Sequence, residues 1–191
     1  GSELLVGLER GVFRLHGGAW QQVLAIRDGD TEVVRQLLRA PTRDGIIAPL
    51  VLTSQRALIE QPTGELLEWN DFPKETRAAT VDSTDAGAAL YLVSRTNSVQ
   101  RFSDGRWETI DGGAAPLLEP PTAAVVWRFP SGERALVIGT GDGVGFLRIA
   151  GGPPAWRTAS QASHVGFRSD EVRDLSALPN GRLAEATPRG L

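Results

Sequence analysis

Six arginines recur at matching places in this chain. Arg10, Arg56 and Arg189 each stand in a short turn after an apolar or small-residue run. The three stretches are Val6-Gly7-Leu8-Glu9-Arg10-Gly11-Val12, Leu52-Thr53-Ser54-Gln55-Arg56-Ala57-Leu58 and Glu185-Ala186-Thr187-Pro188-Arg189-Gly190-Leu191. Arg35, Arg77 and Arg173 each head a β-prone run: Val34-Arg35-Gln36-Leu37-Leu38, Thr76-Arg77-Ala78-Ala79-Thr80 and Val172-Arg173-Asp174-Leu175-Ser176. A guanidinium fork pairs bidentately with carboxylates and phosphates. Brought to one mouth, these groups would form a positive funnel for a small anionic ligand: a carboxylate, a phosphate or an acidic sugar. The opposing reading is ordinary solvated loop arginines paired with Glu9, Glu32, Glu75 and Asp174, because surface ion pairs are common and worth little.

Other chemistry has little to stand on. There is no cysteine, which excludes disulfides, thiolate metal sites and a cysteine nucleophile. Two histidines, His16 and His164, are too few for a histidine-rich metal site. Asp82, Asp85, Asp104 and Asp142 fall where turns are expected, and Asp favours turns through local hydrogen bonding. No glycine-rich loop leads into a helix, and no serine stands in a motif with a histidine. The residues therefore predict no catalytic group, no metal and no cofactor.

The arginines are spaced by a repeat. The same phrase returns at Val93-Ser94-Arg95-Thr96-Asn97-Ser98-Val99 and Ile138-Gly139-Thr140-Gly141-Asp142-Gly143-Val144. Between Gly7, Thr53, Ser94, Gly139 and Ala186 the steps are 46, 41, 45 and 47 residues. A period of this size marks a repeat architecture. The third copy shows its grammar. Arg77-Ala78-Ala79-Thr80-Val81 is β-prone, and residues 82–87 are turn-rich. Ala89-Leu90-Tyr91-Leu92-Val93 is a second apolar run. Val99-Gln100-Arg101-Phe102 and Arg106-Trp107-Glu108-Thr109-Ile110 alternate about the hairpin turn Ser103-Asp104-Gly105.

Four short strands in about 40 residues, repeated, predict an all-β fold: a β-propeller of four-stranded antiparallel blades. Residues 32–39 have some local helical propensity, but their register with the other first strands predicts a strand. Strand-two residues 4–6, 51–52, 92–93 and 136–138 are expected to form the packed middle of the blades. Trp20, Trp69, Trp107 and Trp156 mark the fourth strands and are expected to fill the wedge between neighbouring blades.

Residues 33–69, 76–110 and 122–158 read as full blades, with partial blades at 3–23 and 171–191. About four blades are thus present, either closed as a four-bladed ring or forming a segment of a larger propeller. A segment would expose a sheet edge, which invites pairing. Its expected partners are the remaining blades, a second chain or a homodimer. Gly1-Ser2 reads as a cloning scar, and the absence of methionine fits a piece excised from a longer chain. A net charge of −3 argues against nucleic-acid binding. No apolar run approaches the roughly 18 residues needed to span a bilayer, so no membrane contact by this piece is expected.

Ile138-Gly139-Thr140-Gly141-Asp142-Gly143-Val144 resembles the signature of two-component regulator propeller repeats. There a Gly-Thr ends strand two, and a Gly followed by an aliphatic residue opens strand three. The Val-Arg starts at Val34 and Val172, and Leu178-Pro179-Asn180-Gly181-Arg182-Leu183, resemble the same family. Only the fourth copy keeps the Gly-Thr intact. The resemblance implies a non-catalytic, ligand-sensing propeller in the periplasmic or extracellular part of a bacterial histidine kinase or diguanylate cyclase, binding a ligand that is often a glycan. Two other functions stay open: a protein–protein interaction platform, and part of a propeller hydrolase or lyase.

Overall fold

The computed structural model describes residues 4–27, 29–84, 87–115, 117, 119–129, 131–159, 171–178 and 182–188. Among these, every regular element is a strand. The chain forms two compact units, Gly1–Lys74 and Glu75–Leu191.

The first unit holds β1 (Leu4–Leu8), β2 (Gly11–His16) and β3 (Ala19–Ala25) in one three-stranded sheet. A four-stranded sheet follows: β4 (Val34–Pro41), β5 (Ile47–Thr53), β6 (Ala57–Glu60) and β7 (Leu66–Glu68). The second unit holds β8 (Thr76–Thr84), β9 (Gly87–Ser94), β10 (Val99–Ser103) and β11 (Arg106–Ile110). Beside it lie β12 (Pro121–Arg128), β13 (Arg134–Thr140), β14 (Gly143–Ala150) and β15 (Trp156–Ala159). A pair, β16 (Asp174–Ala177) and β17 (Leu183–Ala186), completes the described strands. Every pairing is between sequence neighbours and antiparallel. These are the four-stranded antiparallel blades that the repeat predicts. Residues 34–39 lie in strand β4, not in a helix: the alternation that pairs Leu37 with Val51 outweighs local propensity.

Turn chemistry sets the registers. Asp104 and Gly105 both take positive φ, 52° and 74°, and Ser103 pairs with Arg106 across them. That is the two-residue turn whose twist suits antiparallel strands. The second strands supply the core, as expected. Val51, Val93, Leu136, Val137 and Ile138 are fully buried. The exception is β1, where Leu4 is 52% exposed.

Blades pack through alternate residues. In the first unit Val12, Val51 and Leu58 form a buried cluster, with Leu5, Val23 and Leu37 against it. In the second, Tyr91, Val93, Leu136, Ile138 and Leu147 join β8–β11 to β12–β15, and Trp156 packs on this cluster as a wedge residue should. Val137, Val144, Val172 and Leu175 join β12–β15 to β16–β17. Trp69 is buried, just beyond β7. Trp107 stacks at 4.8 Å on Phe102 of its own sheet. Trp20 departs from the wedge expectation: it is 53% exposed.

The recurring glycine now has a cause. A Cβ built at Gly139 would sit 2.4 Å from Val172 Cγ1, and one at Gly7 would sit 2.8 Å from Val34 Cγ1. At these two positions the start of the following blade rests on the bare backbone of the preceding strand two.

Candidate functional site

The arginines cluster by sheet end. Strand one of a blade carries a register shift near its start, between Val34 and Gln36, Thr76 and Ala78, and Pro121 and Ala123. The extra residue is therefore Arg35, Arg77 or Thr122. A bulge re-aims its side chain out of the ladder. Val34 pairs with Thr53 and Thr76 with Ser94, so each bulge lies at the same end of its sheet as the turn after strand two.

In the first unit this end is organised around Thr53. Its hydroxyl is the donor 2.6 Å from Glu32 Oε1, with the Arg56 carbonyl at 3.0 Å, and it accepts from the Arg56 amide. Arg56 reaches the same carboxylate through two nitrogens, Nε to Oε1 at 2.9 Å and Nη2 to Oε2 at 3.2 Å. Glu32 is buried. Burial raises its pKa, but the hydrogen bonds from Arg56 and Thr53 outweigh that and hold it below the ordinary 4.5. The pair in turn raises the Arg56 pKa. Arg10 lies exposed in the turn after β1, its carbonyl accepting from the Ile26 amide and Gln22 Nε2. Arg35 is also exposed.

Because the folded pKa of Glu32 is lowered, its contribution is fully present above the unfolded value and is lost as pH falls through the folded one. Glu32→Gln should therefore destabilise by about 1–3 kcal/mol at neutral pH. It should also flatten the loss of stability on the acid side of pH 4.5. Melting temperature against pH for the two proteins checks this.

In the second unit Arg77 is half-buried at its bulge, with no acidic partner among the described residues. The Asn97 side chain closes the neighbouring turn by donating to the Leu117 and Glu119 carbonyls at 3.1 and 3.2 Å. Thr122 takes the bulge position of the next sheet. Its hydroxyl is the donor beside the Val172 carbonyl, at 2.6 Å, and the Gly139 carbonyl, at 3.0 Å. The absence of an arginine there is thus a blade-to-blade tie. Arg173 donates its amide to Ala186 and pairs at 3.4 Å with Glu171, not with Asp174. Arg189 lies outside the described residues. Arg10, Arg35 and Arg56 therefore share one end of the first unit's sheets, and Arg77 and Arg173 hold matching positions in the second.

Two features escaped the sequence reading. The first unit carries a cleft of about 670 Å³ lined by Arg39, Arg43, Ile46, Glu68, Trp69 and Asp71 among others. Arg43 and Asp71 pair across it. Burial raises the Asp71 pKa, but the contact with Arg43 outweighs it and lowers the carboxyl below its usual range. The second feature is Asp82. It sits within β8, not in a turn, because the alternation Thr80-Val81-Asp82-Ser83-Thr84 carries the strand through Thr84. Its carboxylate is buried and bound by both Arg128 and Arg134 of the adjacent sheet. No group of three or more metal-ligating side chains occurs among the described residues.

No family model matches the chain, and no curated protein does. Among solved structures it is similar to the extracellular domain of a protein named as a hybrid two-component system from B. thetaiotaomicron. The TM-score is 0.62 at 16% identity, with 99% of this chain and 25% of that one covered. A second structure of that domain, there named as a one-component system, gives 0.60 at 15%, covering 97% and 26%. A protein named as a gluconolactonase gives 0.51 at 16%, covering 96% and 67%. This chain spans about a quarter of the length of the first two. At these identities the likeness is one of fold, and the fold of this chain is a β-propeller built of four-stranded antiparallel blades.

Proposed function

We propose that this chain is a non-catalytic sensing propeller from the extracytoplasmic part of a bacterial signalling receptor, binding a small anionic or glycan ligand at the arginine-bearing ends of its blades. The observation that carries the reading is the likeness, over 99% of this chain, to the extracellular domain of a two-component system. The arginines at strand-one bulges and strand-two turns support it locally. In each unit by itself the groups stand at matching loop ends of the blades, and function on a fold resides in such grafted groups. Arg77, half-buried and without an acidic partner among the described residues, is the strongest anchor. Arg56, already gripped by Glu32, serves to stiffen the loop.

The test is a thermal-shift screen with glucuronate, galacturonate and inorganic phosphate, set against glucose. Melting should rise with at least one anion and not with glucose. In the Arg35→Ala, Arg77→Ala double variant that rise should fall at least fivefold at equal ligand concentration. An undiminished shift in the double variant would remove the arginines from the site. A second reading, an interaction platform, is favoured by the exposed Leu4, Leu8 and Trp20 on the first sheet.

A further inference from the structure

The cleft of the first unit stands apart from the arginine ends of the blades. Its volume of about 670 Å³ falls within the roughly 300–1,000 Å³ of small-ligand pockets. All of its lining comes from residues 39–71, so the first unit builds it alone. Neither Arg10, Arg35 nor Arg56 lines it. One wall is the β4–β5 hairpin, which closes beyond the Pro41–Ile47 pair. That is the opposite end of the strand pair from Val34 and Thr53.

The lining mixes three kinds of group. Ile46, Ile47 and Trp69 are apolar, and the two isoleucines are 56% and 38% exposed. Gln61 and Asn70 bring side-chain amides, which both donate and accept. The charges are of both signs. Arg43 and Asp71 satisfy one another. Arg39 and Glu68 are both exposed, and neither forms an ion pair among the described residues. The Arg39 guanidinium donates to the Ile47 carbonyl at 3.3 Å. Glu68 feels Arg56 at longer range, but that guanidinium is held by Glu32.

Arg39 and Glu68 stand on β4 and β7, the two outer strands of the sheet. Three strand spacings separate these strands, about 14 Å. A ligand that meets both groups must be long and must carry opposite charges at its ends. An unmodified peptide has that form, with an ammonium at one end, a carboxylate at the other and amides between. At about 3.3–3.6 Å per residue, about four residues cover the distance.

We propose that this cleft binds a short peptide with free ends and apolar central side chains. The ammonium pairs with Glu68, and the carboxylate takes the guanidinium fork of Arg39. Asn70 and Gln61 meet the peptide amides, while Ile46, Ile47 and Trp69 receive the side chains. Apolar burial holds the peptide, and the two charges fix its direction and length.

Equilibrium dialysis against a pool of unmodified tetrapeptides, with Leu, Ile, Val or Phe at both central positions, tests the proposal. The pool should be retained saturably. The same pool, N-acetylated and C-amidated, should bind at least about tenfold more weakly, the effect of losing a charge-assisted hydrogen bond. Glu68→Gln should weaken binding of the unmodified pool about tenfold and leave binding of an N-acetylated pool unchanged. Arg39→Gln should do the same, with a C-amidated pool unchanged. Both positions are exposed, and melting confirms that each variant folds. The Arg35→Ala, Arg77→Ala variant should retain the peptides as wild type does, which separates this cleft from the arginine ends. No retention of the unmodified pool would overturn the proposal. So would equal retention of the blocked pool, full retention by either folded cleft variant, or loss of the peptides in the Arg35→Ala, Arg77→Ala variant.

Discussion

Gly139→Ala should lower the stability of the chain by about 1–3 kcal/mol, the range for overpacking a tight core contact. The new methyl would lie 2.4 Å from Val172 Cγ1, 2.8 Å from Val172 Cβ and 3.3 Å from Leu175 Cδ1. Val172 has little room to yield. It is fully buried, β-branched, and tied by its amide to the Thr140 carbonyl at 2.9 Å. On the other side the Gly139 carbonyl accepts from Thr122, which also binds the Val172 carbonyl. The clash therefore falls on a junction fixed from three directions. Val172→Ala alone should cost about 1–2.5 kcal/mol for the cavity it leaves. Combined with Gly139→Ala it should cost less than the sum, since each change makes room for the other. Urea unfolding of the four proteins measures the coupling. Strict additivity would show that the recurring glycine is not there for blade contact.

Asp82→Ala should cost about 3 kcal/mol, as expected when one partner of a buried charge group is removed. Arg128 and Arg134 are directly cross-strand from one another on β12 and β13, an arrangement that repels. Asp82 of the neighbouring sheet accepts from both, and Arg128 also donates to the Ser83 carbonyl at 2.8 Å. Without the carboxylate, two guanidiniums face each other over a buried gap. Removing Arg134 as well should recover part of the loss. Because Arg128 is 55% exposed, added salt should narrow the difference between wild type and the single variant. Urea unfolding at low and high salt reads both effects. A variant as stable as wild type would mean that the two arginines need no shared partner.

The parts of this molecule that were legible in its sequence are those governed by near neighbours. Asp104-Gly105 announces its turn because the two residues tolerate positive φ, and it sets a register that the alternation on either side then obeys. Glu32 stood among the four acidic residues expected near the loop arginines, but which arginine it grips, Arg56, is settled only by the packed turn. Asp82 was misplaced for the opposite reason. Its partners lie 46 and 52 residues away, and an Asp beside Ser, Thr and Gly looks like a turn until the neighbouring sheet supplies its cations. Trp20 shares its local pattern with Trp156, yet one is exposed and the other packs on a core cluster, because what covers a sheet face is not written in that sheet. The cleft around Trp69 has the same origin: Arg43 and Asp71 come from two loops separated by the whole blade. The arginine positions themselves were legible, but the bulge that lifts Arg35 and Arg77 out of the ladder was not, since a register shift leaves no residue signature here.

Binding of an anionic sugar without turnover is the central proposal for these arginines, and one measurement reads both binding and turnover. The protein is dialysed to equilibrium against a defined galacturonate oligosaccharide, and the retained ligand is then recovered and chromatographed. Saturable retention of the oligosaccharide, reduced in the Arg35→Ala, Arg77→Ala variant and recovered unchanged, is the predicted result. No retention above that of a neutral oligosaccharide, or recovery of shortened or unsaturated fragments, would contradict it.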